Sequence, residues 1–249
     1  MNSHAPAGAR AAMRRVLSIG LVLLACHGCA TQPASDPRDP LEGFNRGVFA
    51  FNEGLDQAVL KPAATVYRDL TPALVRTGVG NFLGNLDDAW SSVNSLLQFK
   101  LRAAVDNFMR FGVNTTFGLF GLLDVASEMQ IDRHSEDFGQ TLGAWGFGTG
   151  AYLVLPIFGP STFRDAAALP VDFSGDLASK AGDTSTRNSL RVLNVIDTRA
   201  GLLGLSSALD EVALDKYSFA RDAYLQRRRN ALYDGNPPDT DPVTGREIR

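Results

Sequence analysis

Residues 138–163 carry no charged side chain, and nothing else in the sequence constrains the fold as strongly. By count the run is long enough to cross a bilayer as a helix. Its breakers argue against that: Gly139, Gly143, Gly146, Gly148 and Gly150 come before Pro156, Gly159 and Pro160, and a regular helix does not survive such a series. Unpaired backbone is costly in hydrocarbon, so a segment of this kind is either covered by other protein or lines a cavity. Residues 111–123 repeat the uncharged glycine-and-phenylalanine character. Both runs admit two readings, the ordinary core of a soluble domain or close-packed protein wall inside a membrane.

The N-terminus bears on that choice. Arg10, Arg14 and Arg15 precede an apolar run over residues 16–25, then small residues and cysteine, the order of a secretory signal. The run is too short to be a spanning helix. Arg14-Arg15 alone suggests twin-arginine export, but the flanking residues favour ordinary secretion. Both cysteines of the chain, Cys26 and Cys29, sit at this junction. Their spacing invites a redox or metal reading, yet no strand-to-helix pattern surrounds them, and Ala30 stands where haem attachment needs histidine. Leu23-Leu24-Ala25-Cys26 is similar to a bacterial lipobox, in which cleavage exposes a cysteine for acylation; Cys29, behind Cys26-His27-Gly28, is the alternative. The acyl chains of such a residue give stable membrane residence. In neither case does a disulfide staple the fold, and most of the 249 residues remain to build a core without one. A formal charge of −3 is too near balance to steer the chain toward nucleic acid or anionic lipid.

The organisation that follows is a signal peptide over 1–25, a lipidated N-terminus and tether over 26–39, a helical domain over 40–233 and a disordered tail over 234–249. Pro33, Pro37 and Pro40 keep the tether from forming a helix, and Gly235, Pro237 and Pro238 sit among alternating charges in the tail. Between them the periodicity is helical. Phe44, Val48, Phe51, Leu55 and Val59 share one face of a helix expected to end before Pro62. Leu96, Phe99, Val105, Phe108 and Met109 predict one or two more helices. A later pair is expected over 189–200 and 206–233, the second with Ser206 or Ser207 as cap, Asp210 and Glu211 in its first turn and Arg227-Arg228-Arg229 near its end. No stretch sustains the period-two alternation of a membrane β-barrel. The expected fold class is all-α.

Motifs that would carry chemistry are thin. Gly78-Val79-Gly80-Asn81-Phe82-Leu83-Gly84 has dinucleotide spacing, but no convincing strand precedes it and no βαβ pattern follows. Gly146-Phe147-Gly148-Thr149-Gly150 lacks the Gly-Lys-Ser/Thr of a phosphate loop. Gly159-Pro160-Ser161-Thr162-Phe163 stops short of a nucleophile elbow. His134 is the one histidine beyond the signal junction, so zinc lacks its ligands and a serine–histidine pair must run through His134. No metal, cofactor or catalytic residue is assigned.

Asp39-Pro40-Leu41-Glu42-Gly43-Phe44-Asn45-Arg46, followed by Phe49, Phe51 and Asn52, resembles the MlaA/VacJ family of outer-membrane lipoproteins. The resemblance continues through Asn94-Ser95-Leu96-Leu97-Gln98-Phe99-Lys100, Arg110-Phe111-Gly112-Val113-Asn114, Asp137-Phe138-Gly139-Gln140-Thr141-Leu142-Gly143, Gly159-Pro160-Ser161-Thr162, Arg164-Asp165, Asp197-Thr198-Arg199-Ala200 and Arg221-Asp222-Ala223-Tyr224-Leu225. These blocks cover nearly the whole chain after the signal. Two departures stand out: Asp87-Asp88-Ala89, where the family often has proline, and Phe99, where it often has glycine.

The resemblance implies a ring of helices in the periplasmic leaflet of the outer membrane around an amphipathic channel. It also implies removal of phospholipids mislocalised to the outer leaflet, their transfer to a soluble MlaC-like carrier, and company with trimeric porins. Phe44, Asn45 and Arg46 are expected in the first helix and its lipid-side packing, and Gly159, Pro160, Arg164 and Asp165 in the ring wall; a plain structural ion pair is the other reading of Arg164-Asp165. Two further functions compete: a membrane-anchored lipid hydrolase using Ser161 or Ser135 with His134, and a scaffold lipoprotein that positions a porin.

Overall fold

The computed structural model describes residues 36–239. The signal peptide, Cys26, Cys29 and residues 240–249 lie outside the described residues. The described chain opens with one long helical stretch in three parts: α1 (Glu42–Leu55), a π turn (Asp56–Leu60) and α2 (Lys61–Leu70). Expectation placed the end of this helix before Pro62; instead it runs on to Leu70. The wider turn explains the difference. Lys61 N–H bonds to the Asp56 carbonyl five residues back, and Pro62, which has no N–H to give, enters at the start of α2, where proline is tolerated.

Next come α3 (Ala73–Leu97) and α4 (Leu101–Phe117), packed against each other. The turn between them is a Schellman motif: Lys100 N–H reaches the Ser95 carbonyl at 2.9 Å and Phe99 N–H the Leu96 carbonyl at 3.0 Å. Its pivot is Phe99 at φ +60°, a left-handed position that ordinarily takes glycine. Short helices follow, α5 (Val125–Glu128) capped by Asp124 and α6 (Phe138–Ala144) capped by Asp137.

The uncharged segment is helical over α6, and its glycines and prolines then give way to extended chain. β1 (Tyr152–Leu155) and β2 (Gly159–Thr162) form an antiparallel hairpin, Tyr152 opposite Thr162 and Leu155 opposite Gly159. Thr162 caps α7 (Phe163–Gly175), and a 3₁₀ turn (Leu177–Lys180) leads to α8 (Thr184–Gly201), capped by Asp183. The single helix expected over 206–233 is two, α9 (Leu203–Val212) and α10 (Lys216–Leu232). Asp215 breaks it, accepting from Tyr217 and Ser218 N–H as the cap of α10, whereas Ser206 and Ser207 donate back onto carbonyls of their own helix, Leu203 among them, and the Ser206 hydroxyl also accepts from Arg199 Nη1.

Packing order places these elements. α1 lies on β1; α2 meets α8 and α9; α8 meets α3; α3 meets α4 and α6; α6 meets α7 and α10; α10 meets β2. The described chain is mainly helical, with two four-residue strands. A small apolar core of Tyr152, Val154 and Tyr217, flanked by Val48, Phe49, Tyr224 and Leu225, sits where α1, the hairpin and α10 converge. Among the described residues no helix is long and apolar enough to cross a membrane.

Candidate functional site

Burial in this chain is inverted. Asn45, Asn85, Asn94, Asn107, Arg110 and Asn114 are all buried, while Leu74 is 88% exposed, Phe99 85%, Leu70 79%, Phe120 76% and Phe117 71%. Much of the apolar stripe of the first helical stretch follows suit: Phe44 and Phe51 of α1 and Val59 of the π turn are exposed, Val48 packs on the core, and Asn45 is buried with Asn52 half-buried beside it. Several exposed apolar residues also occupy turn tips in left-handed backbone, namely Phe99, Leu119, Phe120 and Ile157. A water-soluble domain hides such residues and exposes amides; the reverse arrangement calls for an apolar surrounding.

The buried polar groups are matched to one another. Asn45 stitches α1 to the open edge of the hairpin: its Nδ2 donates to the Tyr152 carbonyl at 3.1 Å and to Asp39 Oδ1 at 2.8 Å, and its Oδ1 accepts from Val154 N–H at 2.9 Å. Asn52, two helical turns on, repeats the device with the Leu155 carbonyl at 2.9 Å and Ile157 N–H at 2.8 Å. Side-chain amides thus take the place of a third strand. Asp39, assigned to the tether by sequence, is itself fully buried and accepts from Tyr217 Oη and Arg221. Arg46 turns toward α10, with Nη2 2.7 Å from Asp215 Oδ2 and its guanidinium 4.4 Å above the Tyr217 ring.

Arg164 and Asp165 belong to a buried ionic cluster. Arg164 Nε and Nη2 donate to Asp165 Oδ1 at 3.0 and 2.9 Å, Arg228 Nε and Tyr224 Oη donate to Asp165 Oδ2 at 2.9 and 2.8 Å, and Arg228 also grips Asp137 with both terminal nitrogens. Burial pushes the Asp137 and Asp165 carboxyls up, but Arg228 overrides it and holds both below the usual carboxylate range. A second cluster centres on Arg110, which takes Asp124 with Nη2 at 2.8 Å to both oxygens and the Ile131 carbonyl at 2.6 Å, with Asp88 3.3 Å from Nε. Gly159, at φ +82°, turns the hairpin, and Pro160 pairs with Val154. Asn52, Arg110, Asp137 and Arg228 are functional-site candidates that sequence reasoning missed.

These features match a known protein family. The model of the MlaA lipoprotein family covers residues 37–231. The chain belongs to the MlaA lipoprotein family. It is 37% identical over 218 residues to the intermembrane phospholipid transport system lipoprotein MlaA of Escherichia coli K12, covering 85% of each chain. The protein of the same name from Haemophilus influenzae is 34% identical over 232 residues, 89% of this chain and 92% of that one. A solved structure reported under "Structural basis for maintenance of bacterial outer membrane lipid asymmetry" superposes with a TM-score of 0.69 at 37% identity, over 80% of this chain and 99% of its own.

Membership of the MlaA family, whose named relatives are transport lipoproteins, sets the hydrolase aside: the chain is not an enzyme. His134 Nε2 faces Asp106 at 3.4 Å, and the buried Ser161 hydroxyl donates to the Thr162 carbonyl. Both departures from the MlaA pattern sit within regular structure, Asp87-Asp88-Ala89 inside α3 and Phe99 at the pivot that follows it. A groove of about 1040 Å³ lies between the glycine-rich loop after α6 and α10.

Proposed function

We propose that this chain is an outer-membrane lipoprotein that withdraws phospholipids mislocalised to the outer leaflet and hands them to a soluble periplasmic carrier of the MlaC kind. Removal of residues 1–25 and acylation at Cys26, with Cys29 as the alternative, would hold it at the periplasmic side; residues 26–39 would serve as the tether, 40–233 as the working domain and 234–249 as a loose tail. A trimeric porin is the expected membrane partner.

The observation that carries the reading is the inverted burial. Hydrocarbon outside and a polar path within satisfy both halves of that pattern, since a lipid must move its headgroup past polar groups while its tails remain in an apolar phase. The circuit of contacts from α1 through the π turn and α2 to α8, α3, α6 and α10, and back to the hairpin, supports a ring. In this reading Phe44 faces hydrocarbon, Asn45 and Arg46 brace the first helix, and Gly159, Pro160, Arg164 and Asp165 brace the wall. The names of the Escherichia coli and Haemophilus influenzae relatives point to the same substrate class. No bond is made or broken and no cofactor is needed; direction comes from differential affinity along the route.

Deletion of the gene tests the reading: surface-exposed phospholipid should rise in the outer leaflet, and an unchanged membrane would count against transport. A scaffold that only positions a porin predicts purified protein free of phospholipid and unable to pass any to a carrier.

A further inference from the structure

The groove beside α10 is not part of any assigned role, and its walls are of two kinds. Phe147, Leu225 and Leu232 give it apolar surface. Against these stand Gly148, Thr149 and Gly150, whose N–H groups make no hydrogen bond among the described residues, and Arg164. Arg164 is 6% exposed and spends Nε and Nη2 on Asp165, while its Nη1 has no hydrogen-bond partner among the described residues. The reason Nη1 reaches the groove is Gly143: a Cβ there would fall 2.6 Å from it, so the guanidinium lies flat on α6. The neighbouring Arg228 cannot serve the same end, because Asp137 and Asp165 engage it. The rim is mixed in sign, with Arg38 and Arg229 beside Asp222 and Asp239.

We infer that this groove holds one zwitterionic phospholipid, its phosphodiester against Arg164 Nη1 and the amides of the glycine loop and its acyl chains along Phe147, Leu225 and Leu232. An unpaired, nearly buried guanidinium nitrogen calls for an anionic acceptor, and phosphate takes both arginine and loop amides. Asp222 of the rim is held by Arg38 and Arg221, which leaves the Asp239 carboxylate to suit the ammonium of the same headgroup, a group that an anionic lipid lacks. The volume is that of a ligand pocket large enough for a headgroup, its glycerol and the upper chains. The inference rests on the transport reading and adds a resting place for the cargo beside α10.

The test uses the full lipoprotein in nanodiscs carrying a trace of phosphatidylethanolamine with a photoreactive acyl chain, or phosphatidylglycerol with the same chain. After illumination, digestion and mass spectrometry, label is expected on the peptides holding Leu225, Leu232 and residues 147–150, and more of it from phosphatidylethanolamine. Gly148→Trp fills the groove without touching the fold, because nothing lies within 4 Å of a Cβ at that position; it should reduce groove labelling to background with helix content unchanged. Arg164→Lys should weaken the preference for phosphatidylethanolamine. Groove peptides left unlabelled while the exposed apolar helices are labelled would overturn the site and leave transport standing. Equal labelling by both lipids would overturn the zwitterionic assignment, and a protein labelled nowhere would remove both the site and the transport reading.

Discussion

Replacing Asn45 by alanine tests whether side-chain amides hold the hairpin onto the first helix. The substitution leaves Val154 N–H and the Tyr152 carbonyl without partners in a dry interface. Each buried unpaired group costs about 1–3 kcal/mol, so the pair costs about 2–6 kcal/mol, against which alanine returns at most about 0.7 kcal/mol of helix propensity. Asn52→Ala removes two similar bonds nearer solvent, where water replaces them, and should cost about 1 kcal/mol or less. Asn45→Asp is more severe than alanine at neutral pH. It keeps the acceptor for Val154 but sets a second carboxylate where Nδ2 now lies 2.8 Å from Asp39. Thermal unfolding in detergent, followed by the helical signal, together with proteolysis at the hairpin, should rank the variants wild type, Asn52→Ala, Asn45→Ala, Asn45→Asp. Asn45→Ala matching wild type, or Asn52→Ala costing as much as Asn45→Ala, would refute the argument.

Phe99→Gly should stabilise the detergent-solubilised protein by about 0.5–1 kcal/mol, read as a higher denaturant midpoint, because glycine relieves the left-handed pivot and no packing is lost from an exposed ring. Arg228→Met removes the ion-pair partner of Asp137, whose side chain is 38% exposed, and leaves buried Asp165 with Arg164 and Tyr224, so it should cost about 1–3 kcal/mol; Arg46→Met, at a more exposed pair, should cost about 1 kcal/mol or less. Since Arg228 lowers both carboxyls in the folded state, the stability they supply is whole above their ordinary pKa near ~3.9 and lost as pH falls through the folded values. Melting temperature should therefore drop on acidification below about pH 4, and Arg228→Met should flatten that slope.

Helix content and the apolar face of α1 were legible in the sequence, because a 3.6-residue period survives whichever way the face points. Which side was inside was not legible. Phe44 and Phe51 share a face by pattern, which alone does not say whether that face meets protein or lipid, and only the phase of Asn45 and Asn52, seven residues apart, hints that the polar side is the packed one. Tyr152-Leu153-Val154-Leu155, bounded by glycine and proline, carried a strand signal that the lack of alternation concealed, since both faces of the strand are apolar. The break at Asp215 was readable as Asp-Lys-Tyr-Ser, a capping sequence, but the continuous polar run beyond it masked the stop. The clusters around Arg110 and Arg228 were beyond reach. Arg228 meets Asp137 across 91 positions of chain, and one sequence does not say which of many carboxylates an arginine finds.

The π turn at Asp56–Leu60 is what a one-residue insertion into an α-helix leaves behind. It sets the phase between two halves that answer to different neighbours: Asn45 and Asn52 upstream to the hairpin, Tyr67 downstream to Asp197 of α8 at 2.8 Å, with Asp56 itself clasping Arg199. Excising one residue from the turn would restore ordinary helical bonding and rotate the downstream half by about 100° against the upstream one. Either the hairpin or α8 would then lose its partner, so the length of this turn is as much a constraint on the chain as the identity of any residue in it.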